Sequence, residues 1–369
     1  MNIIKDFIQN NPFRVIGAFT NDSSDIMSTN NNRMKAFAAI GRTVAYSQDL
    51  TSVFGKAPNR QKDVLATSAA ALSSPEGRLL NGLFWFMNLT ATDANALSVL
   101  ARGGNLLEAR KIWEDGEQNM SSLQNQLICC LLKDPRSYSR ALQLASSLYD
   151  SYGSEFIVAV SNGFDVISSE KLMSTFLTEI IKASNGDYLW WDKAVKRQGS
   201  DTIDFQWMEA KANRHIQILQ DALNVAKTTE IHSTQDNYDI AVALMKQAEP
   251  HLKGLKALKE KHNVLLSRYT TIADAVCEEI LNREIIYYNH IGWFSGKADH
   301  SLVLERFCYR YAATIRLKDR CRLNINITLG RKENAPLFPN GTPDNCVFET
   351  ERKKRNASIC AILSGLKSK

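Results

Sequence analysis

Arg352-Lys353-Lys354-Arg355 puts four cations side by side near the carboxyl end of the chain. Such a run suits contact with phosphates, and the affinity of that contact falls steeply as salt rises. Arg316, Lys318, Arg320 and Arg322 lie two apart, so on a helix they spread around the axis and form no stripe. From Ser301 onward fourteen Lys/Arg stand against six Asp/Glu, a net of +8; with a total of +6, the preceding 300 residues carry −2. A basic end on a nearly neutral body points to an acidic partner, an anionic surface or nucleic acid, or else to a solvated helix face. The sequence holds no Gly-x-Gly-x-x-Gly, Walker loop, Gly-x-Ser-x-Gly or His-Glu-x-x-His. His290 beside Tyr287 and Tyr288 has no carboxylate or imidazole at metal-ligand spacing, and seven cysteines include no Cys-x-x-Cys pair. No catalytic residue, cofactor or metal is therefore expected. Phe84-Trp85-Phe86 and Trp190-Trp191 read as core, the alternative being aromatic anchors in a binding groove.

The elements that must carry these side chains are helical. Hydrophobic residues make up 44% and charged residues 23% of 369, which is globular composition for two or three domains. Most of the eight prolines lie near the two ends, so long helices are allowed between them. No segment has the ~20 apolar residues that span a bilayer, no signal-peptide core opens the chain, and the odd, irregular cysteines suit a reducing cytoplasm. Asn21-Asp-Ser-Ser24 offers capping oxygens for a helix over 25–46, with Ile26, Met34, Phe37, Ile40 and Val44 as its apolar face. A third helix follows over 61–72. Ser73-Ser-Pro-Glu76 restarts a helix that carries Leu79, Leu80, Leu83, Phe84 and Phe86.

From about Asp93 the pattern becomes short helix pairs: 93–101 with 106–113 across Gly103-Gly104-Asn105, and 122–132 with 138–149 across Lys133-Asp-Pro135. The segment Gly103 to Trp113 is similar to the second half of a tetratricopeptide-like repeat, although no 34-residue period runs through the region. Leu255, Leu258, His262, Leu265, Tyr269, Ile272, Val276 and Ile280 step by three and four and predict a heptad seam. A hairpin of long helices is expected, with Pro250 at its softened junction. Residues 301–325 read as a further helix. Asn324 to Thr328 and Cys346 to Phe348 suggest strand.

Three motifs together resemble the J-domain family. Val15-Ile16-Gly17 is similar to the close of that family's first helix, and Leu72-Ser-Ser-Pro-Glu-Gly-Arg78 is similar to the close of its third. Where the family has Tyr-His-Pro-Asp after its basic second helix, this chain has Tyr46-Ser47-Gln48-Asp49. The family's tripeptide is what the resemblance ties to stimulation of a DnaK-type ATPase, so stimulation is not expected here. What the resemblance still implies is partner binding through Arg33, Lys35 and Arg42 of the second helix, with Ser47, Gln48 and Asp49 beside them. Asn11-Pro-Phe-Arg14, Leu83-Phe-Trp-Phe86 and Ile285-Ile-Tyr-Tyr-Asn289 are also similar to segments of Bacteroides-type bacterial proteins that join a J-like head to a helical-repeat body.

The expectation is an all-α protein. A degenerate J-like head spans 1–90, an α-solenoid of helix pairs 91–200, a long-helix hairpin or coiled coil 201–295, and a basic helical segment with a loop 296–369. Its expected role is that of a cytoplasmic interaction scaffold for a protein partner, a DnaK-type chaperone or a client, with self-association through the seam as a further outcome. The alternative is binding of nucleic acid or an anionic surface through Arg352 to Arg355.

Overall fold

The computed structural model describes residues 3–292 and 298–330, and within them every regular element is a helix. The chain divides into two compact units, Met1–Arg214 and His215–Lys369. None of the described helices is long and apolar enough to cross a membrane.

The first unit opens with α1 (Ile3–Gln9) and α2 (Pro12–Ile16). Asn11 caps α2 by accepting the Phe13 amide, and Pro12 fills the first turn, where an amide would find no partner. Gly17 ends α2 at φ +72°, with the Tyr46 ring so close that a Cβ would lie 2.7 Å from it. Only glycine meets both demands. The helix α3 (Ser24–Ala39) starts at the Ser23 cap, within the expected Asn21–Ser24 cluster, but it stops well before Tyr46. Its buried residues are Met27 and Met34 alone, whereas Ile26 and Ile40, expected inside, are 47% and 66% exposed. The short α4 (Thr51–Phe54), then α5 (Lys62–Ala71) and α6 (Pro75–Gly82) complete this part.

Phe84 and Phe86 do not continue α6 as expected. Residues 83–87 are wholly buried, and two side chains of a later helix hold their backbone. The helix pairs follow: α7 (Ala91–Gly103), α8 (Leu106–Asp115), α9 (Met120–Lys133) and α10 (Tyr138–Val160), then α11 (Leu172–Ser184) and α12 (Leu189–Gln198). On α9, Gln124 donates to the carbonyls of Gly82, Leu83 and Trp85, and Asn125 donates to Met87 O and accepts its amide. Asp93, fully buried near the start of α7, accepts from the Leu89 and Thr90 amides, Trp113 Nε1, Ser121 Oγ and Asn125 Nδ2. One carboxylate thus joins α7, α8 and α9, and every lone pair it buries is used. The aromatic residues are core: Trp85 stacks on Phe54, Phe84 on Phe176 and Trp191 on Tyr138. Trp190 is 36% exposed, with the Lys193 ammonium over its ring. A single apolar core runs from Ile4 to Ala210, so the expected head and helical-repeat body share one interior.

The helix α13 (Asp201–Thr228) contains the division between the units, and α14 (Thr234–Lys261) and α15 (Leu266–Tyr287) follow it. The predicted seam is real in burial but not in continuity. Leu255, Leu258, Leu265, Tyr269, Ile272, Val276 and Ile280 are buried, yet the chain turns at His262–Leu265 and folds α15 back on α14. The heptad spacing runs straight through a turn, and the seam is satisfied within one chain. Pro250 lies inside α14 and not at the turn. The segment expected as one helix over 301–325 is two, α16 (Ala298–Tyr311) and α17 (Ile315–Thr328), parted by a turn whose Ala313 and Thr314 amides donate to Asp274. Asn324 to Thr328, expected as strand, is the last turn of α17, with Asn326 and Thr328 facing inward. Cys346 to Phe348 lies outside the described residues.

Candidate functional site

The turn Tyr46-Ser47-Gln48-Asp49 forms where α2, the end of α3 and the loop before α5 meet. Two arginines build it. Arg60 donates from Nε to Val15 O at 2.9 Å, from Nη1 to Val44 O at 2.8 Å and to Asp49 Oδ2 at 2.9 Å, and from Nη2 to Arg14 O and Asp49 Oδ1. The two side chains are 7% and 3% exposed. This is a two-pronged ion pair removed from water, in which the planar guanidinium also closes the free carbonyls at the end of α2. The second oxygen of Asp49 also accepts the Tyr46 amide at 3.1 Å.

Arg14 lies under the same turn. It donates to Asp49 O and Gln9 O at 2.8 Å each and to Lys56 O at 2.6 Å, and its guanidinium sits 4.4 Å from the centre of the Phe54 ring. Burial lowers its pKa to about 10, so it remains a cation at neutral pH. Six carbonyls around two guanidiniums replace the water those charges lost. The Tyr46 ring lies across Gly17 with the Arg60 guanidinium 5.1 Å from its centre, and burial raises the phenol pKa. Arg78, the last residue of the resemblance motif, is likewise internal: it donates to Val160 O at 3.0 Å and to Asp22 O at 2.7 Å.

The expected site residues therefore divide. Asp49 was expected among the partner-binding residues, and an internal arginine holds it instead; its carboxylate is committed and out of reach. Ser47 is exposed and its hydroxyl donates to Gln48 Oε1 at 3.0 Å, on the outer side of the turn. Arg33 reaches toward the same turn, 6.0 Å from the Tyr46 ring centre and 5.9 Å from that of Phe37, and stays exposed. Lys35 and Arg42 are exposed too. The structure thus gathers Arg33, Ser47, Gln48 and Tyr46, and separates Asp49 from them by burial.

No family model, curated protein or solved structure matches this chain.

Arg352, Lys353, Lys354 and Arg355 lie outside the described residues. Among the described residues, no three His, Cys, Asp or Glu side chains gather to hold a metal ion. The clamp itself has neither a nucleophile nor an acid–base pair; it fixes a surface. Sequence reasoning missed Arg14 and Arg60. Arg14 had a signal, since a lone charge inside Phe13-Arg-Val-Ile-Gly-Ala-Phe19 must be paired if that run is core. Arg60, in a polar loop, had none.

Proposed function

We propose that this chain is a protein-interaction scaffold whose amino-terminal head docks a partner through the outer rim formed by Arg33, Lys35, Arg42, Ser47 and Gln48, without stimulating an ATPase. The observation that carries this reading is the contrast across one turn. Asp49 is buried against Arg60, while the cations of α3 and the segment after it stand in solvent. A helix with only two buried residues in sixteen contributes little to its own unit's core, and its exposed cations suit an acidic face on a partner. The DnaK-type chaperone that the resemblance implies is the first partner to try, and a client protein is the second. The helix pairs α7 to α12 serve as the rigid body that carries the head.

The test uses the full chain and a purified DnaK-type chaperone in a direct binding measurement. Binding is expected that weakens with salt and drops about tenfold or more in Lys35→Glu/Arg42→Glu, with the fold intact. Binding unaffected by that charge reversal would remove the rim from the reading.

A further inference from the structure

The helix α10 is bent. Tyr152 leaves helical geometry within it, at φ −132° and ψ 15°. One residue on, Gly153 lets α10 approach the turn before α11 so closely that a Cβ would lie 2.8 Å from that of Ser169. Between the bent helix, that turn and the first residues of α13 lies a cavity of about 500 Å3. This is within the range of roughly 300–1,000 Å3 that small-molecule sites occupy. Buried Met173 and Ile203 give the cavity an apolar patch, and the exposed carboxylates of Asp150 and Glu170 stand at its rim. Asp150 also accepts from Ser146 Oγ at 2.9 Å. The rest of the lining is mostly hydroxyl, and no lysine or arginine contributes to it.

Two polar atoms of the lining residues have no partner within the protein. Tyr149 is 4% exposed, its ring packed on those of Phe156 and Phe176, and its hydroxyl makes no hydrogen bond. Burial raises its pKa, so the phenol stays protonated and remains a donor in want of an acceptor. Gln206 Oε1 is buried and equally unpartnered, an acceptor in want of a donor. Leaving both unmade is unfavourable, and a helical interior has no spare backbone groups to supply. The ligand that suits this lining both donates and accepts, and it carries no negative charge. Two carboxylates without a cation repel phosphates and other anions. An ammonium would serve the acceptors but offer nothing to the phenol proton. Hydroxyls serve both, and the C–H side of a sugar ring suits the apolar patch.

We propose that this cavity binds a neutral polyhydroxylated molecule of the mono- or disaccharide class, with Tyr149 and Gln206 as its buried recognition groups and Asp150 and Glu170 at its rim. The cavity shares no residue with the docking rim, and the proposal stands if that reading fails. The full chain is titrated by calorimetry with glucose, galactose, mannose, maltose and lactose in turn, with spermidine and inorganic phosphate as charged counterparts, and its melting is followed with each. One equivalent of at least one sugar is expected to bind and to raise the melting temperature. Tyr149→Phe removes a hydroxyl that has no partner inside the protein, so without sugar it should melt no lower than wild type. It should nevertheless weaken sugar binding about tenfold, the loss expected for one hydrogen bond. Should that variant fail to fold, Glu170→Gln, on an exposed turn, must still weaken binding measurably. Failure of every sugar to bind, uptake of spermidine or phosphate in their place, or sugar binding unchanged in these variants overturns the proposal.

Discussion

Arg60 grips both oxygens of Asp49 and, with the same guanidinium, the carbonyls of Arg14, Val15 and Val44. The charge pair is therefore also the knot that ties α2 to the turn behind α3. Removing one partner of a buried pair leaves the other unpaired in a medium that penalises it, at a cost of about 3–5 kcal/mol. Arg60→Ala is expected to lose stability on that scale in urea unfolding. Arg60→Lys should recover only part, because a lysine cannot reach three carbonyls and two carboxylate oxygens from one plane. Equal stability of Arg60→Ala and wild type would mean that the knot contributes nothing.

Gly17 faces a different constraint, steric and not electrostatic. A Cβ at φ +72° would press on the Tyr46 ring. Left-handed backbone alone costs a non-glycine residue about 1–2 kcal/mol, so Gly17→Ala should lose more than that. Tyr46→Ala should relieve the clash in the double variant, leaving the backbone cost. A double variant as unstable as the sum of the two singles would show that the ring is not the obstacle.

Asp93 is expected to be among the least replaceable residues of the first unit. Asp93→Ala orphans Trp113 Nε1, Ser121 Oγ and Asn125 Nδ2 together, and each buried donor left unmade costs about 1–3 kcal/mol. Denaturant midpoint and near-ultraviolet dichroism of Trp113 should fall together. An unchanged midpoint would contradict the network.

These residues also show how far the sequence was legible. The helical class, the pairs α7/α8 and α9/α10, the Ser74–Pro75 restart and the long helices followed from caps, turns and apolar spacing, all of them local signals. The polar run Ser121 to Gln126 carries no such signal for burial. It is wholly inside because the non-helical backbone of residues 83–87 needs donors and acceptors, and only the fold brings the two together. The heptad steps from Leu255 to Ile280 failed differently: spacing records which residues are apolar and cannot see that His262 to Leu265 reverse the chain. At the candidate site, the rim cations were legible by type. The burial of Asp49 was not, because Arg60 is eleven residues away in a loop with no periodicity.

The buried pair Glu284 and Glu305 gives the second unit a pH dependence. Burial first, and for Glu305 the neighbouring Glu284 charge next, raises both pKa values above the usual carboxylate range. An unfolded glutamate ionises near about pH 4.3, whereas the folded pair keeps its protons to higher pH. Between those limits the folded state binds more protons, so stability is greatest below the unfolded value and falls as pH rises toward and past neutrality. Urea unfolding, measured from pH 5 to pH 8.5, should show that decline, and Glu284→Gln should flatten it. Stability that climbs with pH across the same range would contradict the assignment.

The central claim, docking without catalysis, is tested most directly by one steady-state ATPase measurement. A DnaK-type chaperone is stimulated by a competent J-domain protein, and the full chain is titrated in. The account predicts that the chain alone leaves the basal rate unchanged and that its addition lowers the stimulated rate in a saturable way, an effect lost in Lys35→Glu/Arg42→Glu. Acceleration of the basal rate by the chain alone, or a stimulated rate that stays flat at every concentration, would contradict it.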